Sequence, residues 1–159
     1  MTNILRFIQF FALGTWLGSI IYFSFAVAPA LFATLSSRDQ AGAVVGIALG
    51  RLHHLGVIAA IVYLLASLGL ALSPKFLAQP AVVAVIAMLV FTIISQHRIT
   101  PRMAELRTQM VSVDATPPEN PLRAEFDRLH KVSVRLEGSV LLLGLIALFL
   151  TARTPRPLP

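Results

Sequence analysis

The chain has 159 residues, 57% of them apolar and 13% charged, against roughly 45 to 50% and 25% in soluble domains. That balance excludes an ordinary soluble domain, and the lack of cysteine excludes disulfides, thiolate nucleophiles and thiolate metal ligands. The net charge of +6 does not point to nucleic acid, because the basic residues flank apolar spans instead of forming a stripe on a polar surface.

Nothing ionises between Arg6 and Arg38, nor, histidine apart, between Arg51 and Lys75 or between Lys75 and Arg98. Each run exceeds the roughly 20 residues that cross a bilayer core. The pattern predicts an all-α integral membrane protein, a four-transmembrane-helix bundle in one membrane domain over 1–159. The expected spans are 4–30, 51–72, 80–97 and 132–152, with an extramembrane helical segment over 98–131. The first span carries Gly14 and Gly18, whose spacing lets helices approach closely; Gly14, Gly18, Tyr22 and Phe25 are its expected packing face, and a homo-oligomer through Gly14 and Gly18 is expected. Ala26 and Ala28 resemble a signal-peptidase site, but the apolar run is too long and Pro29 would follow the cut, so the span is read as retained. Pro29 should bend or end it.

Ser37 and Gln40 form a capping box for a second helix running from Arg38 to Leu72, followed by a turn at Ser73, Pro74 and Lys75. The third helix opens on Pro80 and should reach about His97, with Pro101 a turn later. Seven of the thirteen basic and six of the seven acidic residues then lie between Arg98 and Glu137. Met103, Leu106 and Met110 recur at helical spacing; turn formers fill Asp114 to Pro121; and Asn120 caps a last helix from Pro121 through the membrane to Thr151. The tail from Arg153 to Pro159 should be extended. Basic residues number nine on the side of the first and third connections and four on the other. A bacterial inner-membrane protein with both termini outside the cytoplasm is expected.

Arg51, Leu52, His53 and Val57 recur as Arg128, Leu129, His130 and Val134, and the odd-numbered spans both end at a proline, which suggests a tandem repeat of two helical hairpins. The repeat would set His53 and His130 at equivalent depths, with His54 and His97 at the same end. His53, Gly56, Ala60 and Ser67 form a small, polar stripe and His54, Ile58, Ile61 and Leu65 a bulky one, so His53 should face inward. His130, Ser133 and Glu137 share a face, and Met88, Thr92 and Gln96 make a polar stripe on the third helix. Trp16, midway along the first span, should fill the core or face a ligand.

Paired neutral imidazoles suit iron, copper or zinc. His53 and His130 are therefore the candidate ligands of haem b or a transition metal, with Arg51, Arg128, Arg98 and Arg102 as partners for haem propionates. For a bare metal the candidates are His53, His130, His97 and Glu137. Glu137, an ionisable group within a span, also fits proton or ion handling. Three functions follow: haem or metal binding of redox character; transport or export of a small cation or amphiphile along Glu137, Gln96 and the histidines; or a structural protein docking a partner on its charged segment.

Trp16 and Gly18, Pro29 with Leu31 and Phe32, Ala41 and Gly42, Pro101 and Arg102, and Phe126, His130 and Ser133 resemble the transmembrane protein 205-like family of small four-helix membrane proteins. The resemblance implies a four-helix membrane fold and no settled reaction. More distantly, the architecture is similar to copper-resistance D-like proteins and small membrane protoporphyrinogen oxidases. The oxidases' first-span histidine has no counterpart here.

Overall fold

The computed structural model describes residues 2–153, and among them the only regular structure is helical. The elements are α1 (Thr2–Tyr22), a π-turn (Phe23–Val27), α2 (Ala28–Thr34), α3 (Arg38–Ala71), a 3-10 turn (Pro74–Ala78), α4 (Pro80–Ile94), a second π-turn (Ser95–Ile99), α5 (Thr100–Gln109) and α6 (Pro121–Arg153). Four continuous helical rods result, over Thr2–Thr34, Arg38–Ala71, Pro80–Gln109 and Pro121–Arg153, each long and apolar enough to cross a membrane. This is an integral membrane helical bundle. The prolines do not end the helices: the first and third rods pass through Pro29 and Pro101 because a wide turn just before each absorbs the missing N–H, with Ala28 N–H donating to Phe23 O and Thr100 N–H to Ser95 O.

Local signals set the other ends. Ser37 Oγ accepts from the Gln40 amide, Leu72 closes α3 in the left-handed conformation at φ 50°, Pro80 opens α4, and Asn120 Oδ1 accepts from the Leu122 amide. The stretch 154–159, expected to be extended, lies outside the described residues.

In the bundle α1 packs on α3 and α6, and α4 packs on α3 and α6. The order around the ring is therefore α1, α3, α4, α6, which sets α3 and α6 on one diagonal. Trp16, Leu13, Ile20, Tyr63, Val82, Val85, Met88, Val140 and Ala147 fill the middle. The inward face of α1 carries Gln9, Ala12, Leu13, Trp16, Leu17 and Ile20. Within the chain the expected packing face is corrected: Tyr22 and Phe25 are exposed, and a side chain at Gly14 or Gly18 would meet nothing within 4 Å. Bulky residues such as Phe7, Phe11, Ile58, Leu65 and Leu142 point outward, as a lipid-facing surface requires.

A rod of 34 residues is about 50 Å long against a hydrocarbon core of about 30 Å, and the excess projects at the charged end. There Leu106, Met110, Val113 and Phe126 make a second core, flanked by Met103, Leu122 and Leu129. Asp39, in the first turn of α3, ties this extension down. Its carboxylate accepts from Ser112 Oγ at 2.5 Å and the Val113 amide at 3.0 Å. Arg107 donates to the Asp39 carbonyl at 3.1 Å, lies against Gly42 and stacks over Phe126. Arg123 donates to the Val113 carbonyl.

Candidate functional site

His53 faces inward with its small stripe: Gly56, Ala60 and Ser67 are buried with it, and His54, Ile58, Ile61 and Leu65 are exposed. His53 is 2% exposed. Its Nδ1 lies 2.9 Å from Gln96 Oε1 on the second π-turn, and its Nε2 lies 3.4 Å from Glu137 Oε2 across the diagonal on α6. The second contact has the distance of an ion pair without the alignment of a hydrogen bond, so Nε2 is a buried polar atom with no hydrogen-bond partner. Counted at about 1.5 Å per residue, His53, Gln96 and Glu137 all lie about 24 to 27 Å from the opposite ends of their helices. They form one layer on the bundle axis, inside the apolar slab near the charged end.

All four rods contribute at this level. One turn deeper, Trp16 of α1 rests on Gly56 of α3: a Cβ there would lie 2.5 Å from the indole Nε1. One turn nearer the charged end, Ser133 is buried on the same face of α6 as Glu137. Ser95, beside Gln96, is 1% exposed and its hydroxyl has no hydrogen-bond partner.

A carbonyl oxygen only accepts, so the Gln96 contact makes Nδ1 the donor and fixes the tautomer of a neutral His53. The Nε2 lone pair would then face the Glu137 carboxylate. Two electron-rich atoms at 3.4 Å in an apolar interior repel, and a shared positive charge removes the repulsion. The arrangement can hold one cation between an imidazole and a carboxylate.

The pairing of His53 with His130 is corrected. His130 stands at about 35 Å on the same count, one to two turns nearer the charged end than His53, and it is exposed. His130 is turned outward while His53 is buried on the axis, so the two imidazoles do not flank one iron and the residues do not fit a haem between them. His97 is exposed as well, and among the described residues no three His, Asp or Glu side chains gather to hold a metal ion. Of the metal candidates only His53 and Glu137 meet. Of the anion partners, Arg51, Arg98 and Arg128 are exposed. Arg102 is already neutralised, bidentate on Glu125 with both contacts at 2.9 Å and 2.8 Å from Glu105. Gln96 was legible only as part of a polar stripe; its role on His53 depends on the π-turn, which leaves no mark in hydrophobic periodicity.

Comparison with known proteins places residues 11–112 in a domain of unknown function, DUF4149, and the chain belongs to that family. The matched region includes Trp16, His53 and Gln96, and it ends before α6 and Glu137. No curated protein matches, and no solved structure matches.

Proposed function

We propose that this protein is a cation-handling membrane protein that binds and releases a proton at the His53 and Glu137 pair. The observation that carries this reading is the buried, unpartnered Nε2 facing the Glu137 carboxylate while Gln96 engages the other ring nitrogen. An ionisable pair inside a span is costly and faces the bundle interior here, as groups on proton paths do. One added proton, on either the imidazole or the carboxyl, relieves the pair; the Gln96 contact persists in both states.

The test is proton uptake by purified protein in liposomes after an acid pulse, read with an enclosed pH dye, together with the infrared carboxyl band of Glu137. Wild type should take up more protons than Glu137→Gln, and the variant should lose the band. Unchanged uptake in Glu137→Gln overturns the reading. Protein expressed with ample haem should have a flat visible spectrum; a Soret band would put haem in place of the proton.

A further inference from the structure

We infer that the Trp16 indole, seated on Gly56, is the barrier that closes the His53 and Glu137 site toward the opposite end of the bundle, leaving the charged end as its route of exchange. What is admitted rests on the proton reading above; where the barrier lies does not.

The two sides of the site differ. Toward the charged end the Glu137 side chain keeps 15% exposure, Gln96 is half-buried, and Ser133 supplies a hydroxyl one turn away. Toward the other end the lining is mainly apolar, Thr92 of α4 being the buried polar exception. Trp16 is 2% exposed, Ala60, Met88, Val85 and Ala147 are 0% exposed and Val140 is 2% exposed. This apolar stretch separates His53 from the next polar group on the α3 stripe, Tyr63, by ten residues, or about 15 Å. Beyond it the polar groups satisfy one another: Tyr63 Oη and Thr151 Oγ1 are 2.8 Å apart, and Gln9 Nε2 donates to Ser67 Oγ at 2.8 Å.

Trp16 is the large group of that stretch nearest the site, and its seat depends on a missing side chain, as those of Leu17 and Met88 deeper in the bundle depend on Gly144. Three indole atoms would lie within 2.9 Å of a Gly56 Cβ, so α3 has been kept bare where the ring rests. Ala60, one turn on, is small as well. Displacing the ring from Gly56 would open the way from the polar layer toward Ala60.

The protein contains no cysteine, so single cysteines report water access directly. The experiment uses the full chain in liposomes with a membrane-impermeant maleimide, a cysteine at exposed Glu119 identifying the charged side. Ser133→Cys should react from that side. Ala60→Cys should be inert with Trp16 in place, and should react about tenfold faster or more when combined with Trp16→Ala, as expected when local opening controls access. Trp16→Leu serves the same purpose if Trp16→Ala does not fold, folding being judged by an unchanged Ser133→Cys rate. Ala60→Cys reacting as fast as Ser133→Cys in the Trp16 background overturns the inference, and so does Ala60→Cys remaining inert in a folded Trp16 variant. Neither outcome depends on Glu137, whose proton uptake is measured separately.

Discussion

Gly144 is a point of close approach between helices in the centre of the bundle. A Cβ there would meet the Leu17 side chain and come within 2.9 Å of Met88 Cε, so Gly144→Ala forces two well-packed neighbours off their positions. Such overpacking costs about 1 to 3 kcal/mol. Gly138, on the same helix, has nothing within 4 Å, and Gly138→Ala gains up to about 1 kcal/mol of helix propensity. Reversible unfolding of the two variants in mixed micelles should therefore move in opposite directions; equal midpoints would contradict the packing at Gly144. Residues of this kind were partly legible. The alternation of small and bulky positions on α3 fixes the rotation of His53, because an apolar solvent outside and a packed interior sort side chains by size. The partner of His53 was not legible. Residues His130, Ser133 and Glu137 share one face, and sequence spacing gives their rotation but not the depth at which another helix meets them.

At the scale of elements, the two π-turns occupy the same register relative to their prolines, each beginning six residues before Pro29 or Pro101. The prolines announce an irregularity, but whether it is a break or a widened turn depends on the packing that follows, and here α2 and α5 both continue. The tie at Asp39 had even less signature, since it joins residues 73 apart in the chain. Its chemistry gives a pH dependence. The hydrogen bond from Ser112 holds the Asp39 carboxyl below its ordinary range; burial opposes this, and the Val113 amide and the Arg107 charge add to the lowering. A lowered folded value means the stabilisation is complete above the unfolded value, about 3.9, and is lost as pH falls through the folded one. Amide exchange in 110–120, corrected for intrinsic rates, should be slow at pH 6 and faster below about pH 4. Asp39→Asn should raise exchange at pH 6, and an unchanged profile would count against the tie.

On the scale of the whole molecule, four crossings bring the starts of α1 and α4 and the ends of α3 and α6 to one side, and the Asp39 tie, α5 and the loop before α6 to the other. An epitope joined at either terminus should be reached by antibody from the same side of a sealed vesicle, and a label at Glu119 only from the opposite side. The excess of Lys and Arg at the charged end predicts that this end is cytoplasmic, and vesicles of known orientation read both statements at once. This architecture was the most legible feature of all: uncharged runs longer than a bilayer core admit few other solutions, and both the helix count and the charged extension follow from them.

α6 runs unbroken from Pro121 to Arg153, with its outer part held against Arg102 and Arg107 and its inner end joined to Tyr63 through Thr151. Glu137 stands at its midpoint, with about 24 Å of rod on either side. Seen mechanically, α6 is a lever with equal arms and the carboxylate at the fulcrum. Were a rigid rod to turn about that point, a swing of the outer arm would return at the far end as an opposite swing of the same size, and the separation of Glu137 from His53 would change least.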